Sequence, residues 1–410
     1  MILNYIWVSF FLVAFVVALI KLIFFQDVEV FPEMLNSTFD MAKTGFELSL
    51  YLTGVMSLWL GIMKIGEKGG VVKILAKLVG PFFSRLFPGV PDNHPATGAI
   101  IMNFSANMLG LDNAATPLGL KAMKEMQELN TDKEVASDAQ IMFLALNTSG
   151  FTIIPIAIIL DRSILGAANP TDIFIPTLIA TSISTLAAMF VVSIYQRINL
   201  FDKVFLSYLL GFSALIVGAV YYFMSLPQAA LTVQSSLISS VIIITIIISF
   251  LLLGLHKKLA LYETFVEGAK EGFEISIKII PYLIAILVAI GMFRSSGTLN
   301  YLTEGIGWIF ASMGFNNDFV NALPVALLKP LSGGAAKGMM VETVKTFGPD
   351  SFTGRLASIL RGCTETTFYI LAVYFGSVNI RRTRYALTVG LIADLVGVIA
   401  GILVAYLFFH

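Results

Sequence analysis

Apolar residues dominate the chain in runs of about 20, the length a helix needs to cross a hydrocarbon core of ~30 Å. Such runs fall near 5–25, 45–64, 139–160, 172–195, 204–224, 231–255, 274–293, 355–378 and 385–408. The pattern predicts an all-α polytopic membrane protein of about nine spanning helices. Two stretches break it. Residues 95–124 read PATGAIIMNFSANMLGLDNAATPLGLKAMK, with Asn103, Ser105, Asn107, Asp112, Asn113 and Thr116 among Gly110, Pro117 and Gly119. Residues 323–344 read LPVALLKPLSGGAAKGMMVETV. Irregular polar backbone at membrane depth is tolerated only beside protein or a water-filled cavity. Both stretches are therefore expected to be re-entrant or broken hairpins lining a solute site. Each follows a shorter helical pattern, 69–87 and 298–315. The first carries Lys73 and Lys77 on one face and the second Trp308, as interfacial amphipathic helices do.

The chain also repeats itself. Ala42-Lys43-Thr44-Gly45-Phe46-Glu47-Leu48-Ser49 matches Ala269-Lys270-Glu271-Gly272-Phe273-Glu274-Ile275-Ser276 at six of eight positions. Each copy opens a run followed by an amphipathic helix, a broken stretch, a helix with a polar start and a last helix. The polar starts are Leu146-Asn147-Thr148-Ser149 and Leu360-Arg361-Gly362-Cys363-Thr364. Each half has an even number of crossings, and the run near 204–224 adds one between them. The second half then enters the membrane from the opposite side, which predicts two inverted-topology repeats.

Composition agrees with a membrane protein. Of 410 residues 57% are hydrophobic and 13% charged, against about 25% charged in soluble domains. Net charge is zero, which gives no reason to expect a nucleic-acid partner. A single cysteine, Cys363, excludes an internal disulfide, and scattered His94, His256 and His410 speak against a metal cluster. No cofactor is expected, and no nucleophile–base pair is visible, so no enzyme is expected either. The apolar run at the N-terminus is too long for a signal sequence and reads as a retained helix. Lys and Arg cluster at 64–85, 121–133, 197–203, 257–258 and 381–384. The positive-inside rule then puts the N-terminus in the cytoplasm of a bacterial inner membrane. The 26–44 segment, with Asp27, Glu29, Glu33 and Asp40, is expected as an outer loop.

The motifs NHPATGAIIMNFSANMLGLDNAATPLGLKAM and LNTSGFTIIP lie in residues 1–200, which resemble the spore maturation A proteins. LKPLSGGAAKGMM and LRGCTETTFYILAVYFG lie in 227–410, which resemble the spore maturation B proteins. Residues 201–226 would be a linking helix. The resemblance implies a natural fusion within the wider nucleoside-recognition (Gate domain) group. That group resembles concentrative nucleoside transporters and the membrane part of ferrous iron transporters, so the resemblance implies a transporter-like protein.

Ionisable groups at membrane depth need a partner or a role, since each costs about 2.5–3.5 kcal/mol to insert. Asn103, Asn107, Asn147, Thr148 and Ser149 offer neutral hydrogen-bonding groups to a solute, or satisfy their own broken helices. Lys329, Ser332, Gly333, Gly334 and Lys337 form a glycine-rich turn with positive charge, suited to an anion, unless the lysines snorkel outward. Arg361 and Glu365, four apart, share one helix face and either neutralise each other or hold an anion and a proton; Thr364 adds polarity. Asp112, Asn113, Thr116, Glu47, Glu274 and Asp394 are candidates for ion or proton coupling. The expected function is a secondary transporter moving a small organic solute, anionic or nucleoside-like, with Na⁺ or H⁺. The rivals are a non-transporting membrane scaffold, or a lipid-handling protein drawing anionic headgroups to its basic rows. A homo-oligomer is compatible with the Gly390, Gly397 and Gly401 face.

Overall fold

The computed structural model describes residues 2–91, 94–109, 112–153, 155–199, 202–314 and 316–410. Helices follow one another with the same order in each half. In the first half come α1 (Ile2–Phe25), α2 (Val30–Gly69), α3 (Val71–Leu86), α4 (Pro95–Met108), α5 (Asp112–Leu129), α6 (Asp138–Ser149), α7 (Ile156–Ile164) and α8 (Phe174–Gln196). Helix α9 (Lys203–Met224) follows alone. Then come α10 (Gln228–His256), α11 (Leu261–Ser295), α12 (Thr298–Ser312), α13 (Leu323–Leu328), α14 (Gly333–Phe347), α15 (Phe352–Gly362), α16 (Thr367–Ser377) and α17 (Ala386–Phe409). Among the described residues, α1, α8, α9 and α17 carry stretches long and apolar enough to cross a membrane by length and composition.

Two expectations change. Residues 26–44 are not an outer loop: from Val30 they form the first turns of the 40-residue α2. The reason is a buried stripe at helical spacing, Val30, Met34, Ser37, Met41 and Thr44, which the acidic residues between its members disguise. At 1.5 Å per residue α2 is about 60 Å long, twice a hydrocarbon core. The run 355–378 is not a single helix, and neither is 139–160, where Asn147-Thr148-Ser149 with Gly150 and Pro155 in mid-run already suggest local unwinding. Each is broken in the middle, α6 ending at Ser149 before α7 starts at Ile156, and α15 ending at Gly362 before α16 starts at Thr367. Both broken helices start on a serine cap: the Ser137 hydroxyl accepts from the Gln140 N–H in a capping box, and the Ser351 hydroxyl accepts from the Gly354 N–H.

The long helices α2 and α11 pack antiparallel. Lys64, near the end of α2, reaches Glu271 at 2.7 Å near the start of α11. Their contact is reciprocal. A Cβ on Gly45 would lie 2.9 Å from Ile284, and one on Gly272 would lie 2.6 Å from the Met56 carbonyl and 2.8 Å from the Ser57 Cα. Ile284 lies 227 residues beyond Ser57, the offset that also separates Gly45 from Gly272.

The remaining helices form two apolar cores. One gathers Phe83, Ile100, Met123, Phe143 and Phe375 around the α4–α5 hairpin. The other gathers Ile159, Phe174, Met339, Leu356 and Phe408 around α14. Loops assemble at opposite ends of the bundle. At one end Arg384 meets Asp138 at 2.7 Å, and Tyr195 stacks on Tyr385 with ring centres 4.4 Å apart. At the other, Arg162 meets Asp172 at 3.0 Å and Arg355 meets it at 2.7 Å.

A side chain at Gly272 would press on backbone, which cannot swing aside. Gly272→Leu is therefore expected to destabilise the protein by about 1–3 kcal/mol, the usual cost of overpacking. Gly54→Ala, in the same pair of helices but facing open space, is expected to melt no lower than the parent. Thermal denaturation of the two purified variants checks this.

Candidate functional site

Four chain interruptions meet near the centre of the bundle. They are the end of α4 at Met108 and Leu109, the α13–α14 tip at 329–332, and the two helix breaks. A broken helix leaves backbone groups without partners, and buried backbone groups must find them elsewhere. Here they find one another. The Ile153 N–H, in the first break, donates to the Met108 carbonyl at the first tip, 2.8 Å. The Phe368 N–H, just past the second break, donates to the Pro330 carbonyl at the second tip, 3.0 Å. The Glu365 N–H donates to the Thr148 carbonyl, 2.9 Å, and ties the two broken helices together where they cross. Gly150 ends α6 with φ 65°, and a Cβ there would lie 2.8 Å from the Glu365 nitrogen. This close approach in a left-handed conformation explains the glycine.

A cavity of about 820 Å³ opens where these pieces converge. Its polar lining comes from Asn107, Thr116 and Asn147 of the first half, and from Ser332, Glu365 and Thr366 of the second. Phe368, Tyr369 and Tyr374 supply aromatic surface. Asn103 lies behind the wall. Fully buried, it donates to the Ala115 carbonyl at 2.7 Å and holds α4 to α5. Asn107 donates to the Asn147 side-chain carbonyl at 2.9 Å, while the Asn147 amide donates to the Phe143 carbonyl at 2.8 Å. Ser332 caps α14 by accepting from the Ala335 N–H at 3.2 Å, and Gly333 and Gly334 bring that helix start to the cavity edge. Helix N-termini carry partial positive charge.

Several expected residues stand elsewhere. Thr148 and Ser149 are buried and donate to the Ala145 and Leu146 carbonyls of their own helix. Arg361 and Glu365 do not pair, because α15 ends at Gly362 and Glu365 lies in the break. Arg361 instead lies 3.5 Å from Asp161, and Glu365 lies 3.7 Å from Lys329. Lys337 also pairs with Asp161, at 2.8 Å. Lys329, Lys337 and Arg361 thus each face a carboxylate rather than an open anion site. Glu47 sits on the surface of α2, 3.9 Å from Lys43, and Glu274 is exposed on α11. Neither opens a helix, since both lie well inside long ones, and neither lines the cavity. Asp394 is buried on α17 and accepts from the Thr367 hydroxyl at 2.6 Å. The side chains of Asp112 and Asn113 lie outside the described residues. Gly390 and Gly397 pack against Thr367 and Thr364 within the chain.

Asp161 is the residue the sequence reading missed. It sits 3% exposed on α7 and draws two cations from two helices of the other half. Its signal was an Asp-Arg pair just past the apolar run IIPIAIIL. Among the described residues no three His, Cys, Asp or Glu side chains gather as a metal site.

Comparison with known proteins places this geometry. The family described as Gate, nucleoside recognition, matches residues 49–162 and 276–381. The chain belongs to the Gate family. Both hairpin tips, both breaks and Asp161 fall inside the matched segments; Asp394 falls outside. The chain is also 50% identical over 164 residues to spore maturation protein B of Bacillus subtilis strain 168, covering 40% of this chain and 90% of that one. It is 42% identical over 188 residues to spore maturation protein A of the same organism, covering 46% of this chain and 92% of that one. These two relatives match different parts of this Gate chain, as a fused A/B protein requires. No solved structure matches it.

Removing one partner of a buried ion pair leaves an uncompensated charge, at a cost of about 3–5 kcal/mol. Asp161→Asn should cost that much in thermal stability, and Lys337→Met in the same chain should recover part of it. An unchanged melting temperature for Asp161→Asn would show that the two cations do not depend on it.

Proposed function

We propose that this membrane protein is a carrier, not an enzyme, for a small neutral solute of nucleoside type, moved with Na⁺ or H⁺ by alternating access. One observation carries the reading: a single cavity lined jointly by α4, α5 and α6 of the first half and by the α13–α14 tip, the second break and α16 of the second. Its size lies within the roughly 300–1,000 Å³ of small-molecule sites. Amides, hydroxyls and one carboxylate can bond to sugar hydroxyls and ring nitrogens, and the aromatic rings can face a base. The three cations near the site, Lys329, Lys337 and Arg361, are drawn to Asp161 and Glu365 and none of them lines the cavity, which favours a neutral solute over an organic anion. The family description points the same way.

The transport cycle rests on an inverted repeat. Its support is the matched order of α2–α8 and α11–α17, the reciprocal contact of Gly45 and Gly272, and the paired bonds at the two tips. In this arrangement α1, α2, α6–α7, α8, α9, α10, α11, α15–α16 and α17 cross the membrane. The α4–α5 hairpin then re-enters from the cytoplasmic side, where the basic clusters lie, and α13–α14 re-enters from the other. Each hairpin can gate the cavity from its own face.

Thermal stability of the purified protein against a panel of solutes tests this. A nucleoside at about 100 times its Kd should add roughly 2.7 kcal/mol, and Glu365→Gln or Asn107→Leu should abolish the gain. No response to nucleosides, with a response to organic anions, anionic lipid or a partner protein instead, would overturn it.

A further inference from the structure

Asp394 is a carboxylate in the wrong place for a bystander. It lies in the middle of α17, in LTVGLIADLVGVIAG, and is 4% exposed. One oxygen, Oδ2, accepts from the Thr367 hydroxyl at 2.6 Å. The other, Oδ1, is buried with no hydrogen-bond partner. Lys329, a neighbouring cation at the end of α13, is directed to Glu365 at 3.7 Å. A buried charge without a close counter-charge is costly, so Oδ1 calls for a proton or a metal cation, and the oxygen groups beside it favour the cation.

The surroundings supply what a small hard cation takes. Gly390 and Gly397 stand one turn either side of Asp394 on the same face of α17. That bare face lets the break 363–366 approach closely. A Cβ on Gly390 would lie 2.6 Å from the Thr367 methyl and 3.4 Å from its hydroxyl oxygen, and one on Gly397 would lie 2.6 Å from the Thr364 methyl and 3.1 Å from the Cys363 carbonyl oxygen. Helix α15 ends at Gly362, so the carbonyls that follow are freed from helical bonding. Oxygen ligands of this kind suit hard ions such as Na⁺.

We infer that Asp394, with the Thr367 and Thr364 hydroxyls and the Cys363 carbonyl, forms a Na⁺ site where α17 crosses the broken helix α15–α16. The site is separate from the cavity but shares its wall: Thr366 lines the cavity and its neighbour Thr367 holds Asp394. Occupation of one orders the segment used by the other, which gives coupling in both directions. Only this coupling rests on the carrier reading; ion binding stands without it.

Equilibrium binding of radioactive ²²Na⁺ to the purified full chain, in choline buffer with no solute, tests the site directly. Saturable binding is expected in the parent and in Thr367→Ser, which keeps the hydroxyl. It should be lost in Asp394→Asn and in Thr367→Val, each checked for parental melting in choline. If Asp394→Asn does not fold, the Thr367 pair decides. No saturable binding to the parent overturns the inference, as does unchanged binding in Thr367→Val or in a folded Asp394→Asn. Melting that responds to pH but not to Na⁺ would make Asp394 a proton site and equally overturn it. Because no solute is present, the result is readable whether or not nucleosides bind.

Discussion

Everything in this structure depends on how interrupted backbone is satisfied away from water. Four interruptions, each costly alone, are brought to one place and bonded to each other. Ile153 to Met108, Phe368 to Pro330 and Glu365 to Thr148 are three main-chain bonds that replace those the broken helices forgo. The arrangement fixes the cavity as a by-product. One face of α16 forms much of its wall, and the rest carries amides near helix ends, a helix N-terminus and turn side chains, which are groups suited to holding a polar solute.

The two halves solve the same problem with different chemistry. Asn107 and Lys329 each precede the tip residue whose carbonyl accepts the bond. Asn147 and Arg361 each stand ten residues after the cap serine of a broken helix. In the first half the two residues are amides and bond directly, at 2.9 Å. In the second both are cations, which cannot pair with each other. Each recruits a carboxylate instead, Lys329 from Glu365 and Arg361 from Asp161. Asp161 belongs to the first half and Arg361 and Lys337 to the second, so charge stitches the halves across the site. A change in the relative position of the halves must break or remake these pairs, which makes them a natural resistance to motion.

The sequence carried the all-helical membrane class clearly, because apolar runs are a local signal. It also placed Asn107, Asn147, Ser332 and Glu365 in candidate groups whose members line the cavity. It misjudged 26–44 because charges on the outer face of α2 hid a buried stripe. The break in 355–378 was hidden as well, since Arg361 and Glu365 look like a helical pair by spacing alone. Asp161 escaped because its importance lies in partners about 180 and 200 residues away (Lys337 and Arg361), and no local pattern encodes such a distance.

The central claim is that the meeting point of the four interruptions is a solute-accessible cavity and not a dry core. Its direct test uses the single cysteine of the chain. In a Cys363→Ser background, Thr116→Cys and Tyr369→Cys place a thiol on the cavity wall from each half. A charged, membrane-impermeant thiol reagent should modify both in intact membranes, and a nucleoside should protect both. Thiols that do not react, or that react equally with and without nucleoside, would contradict the account.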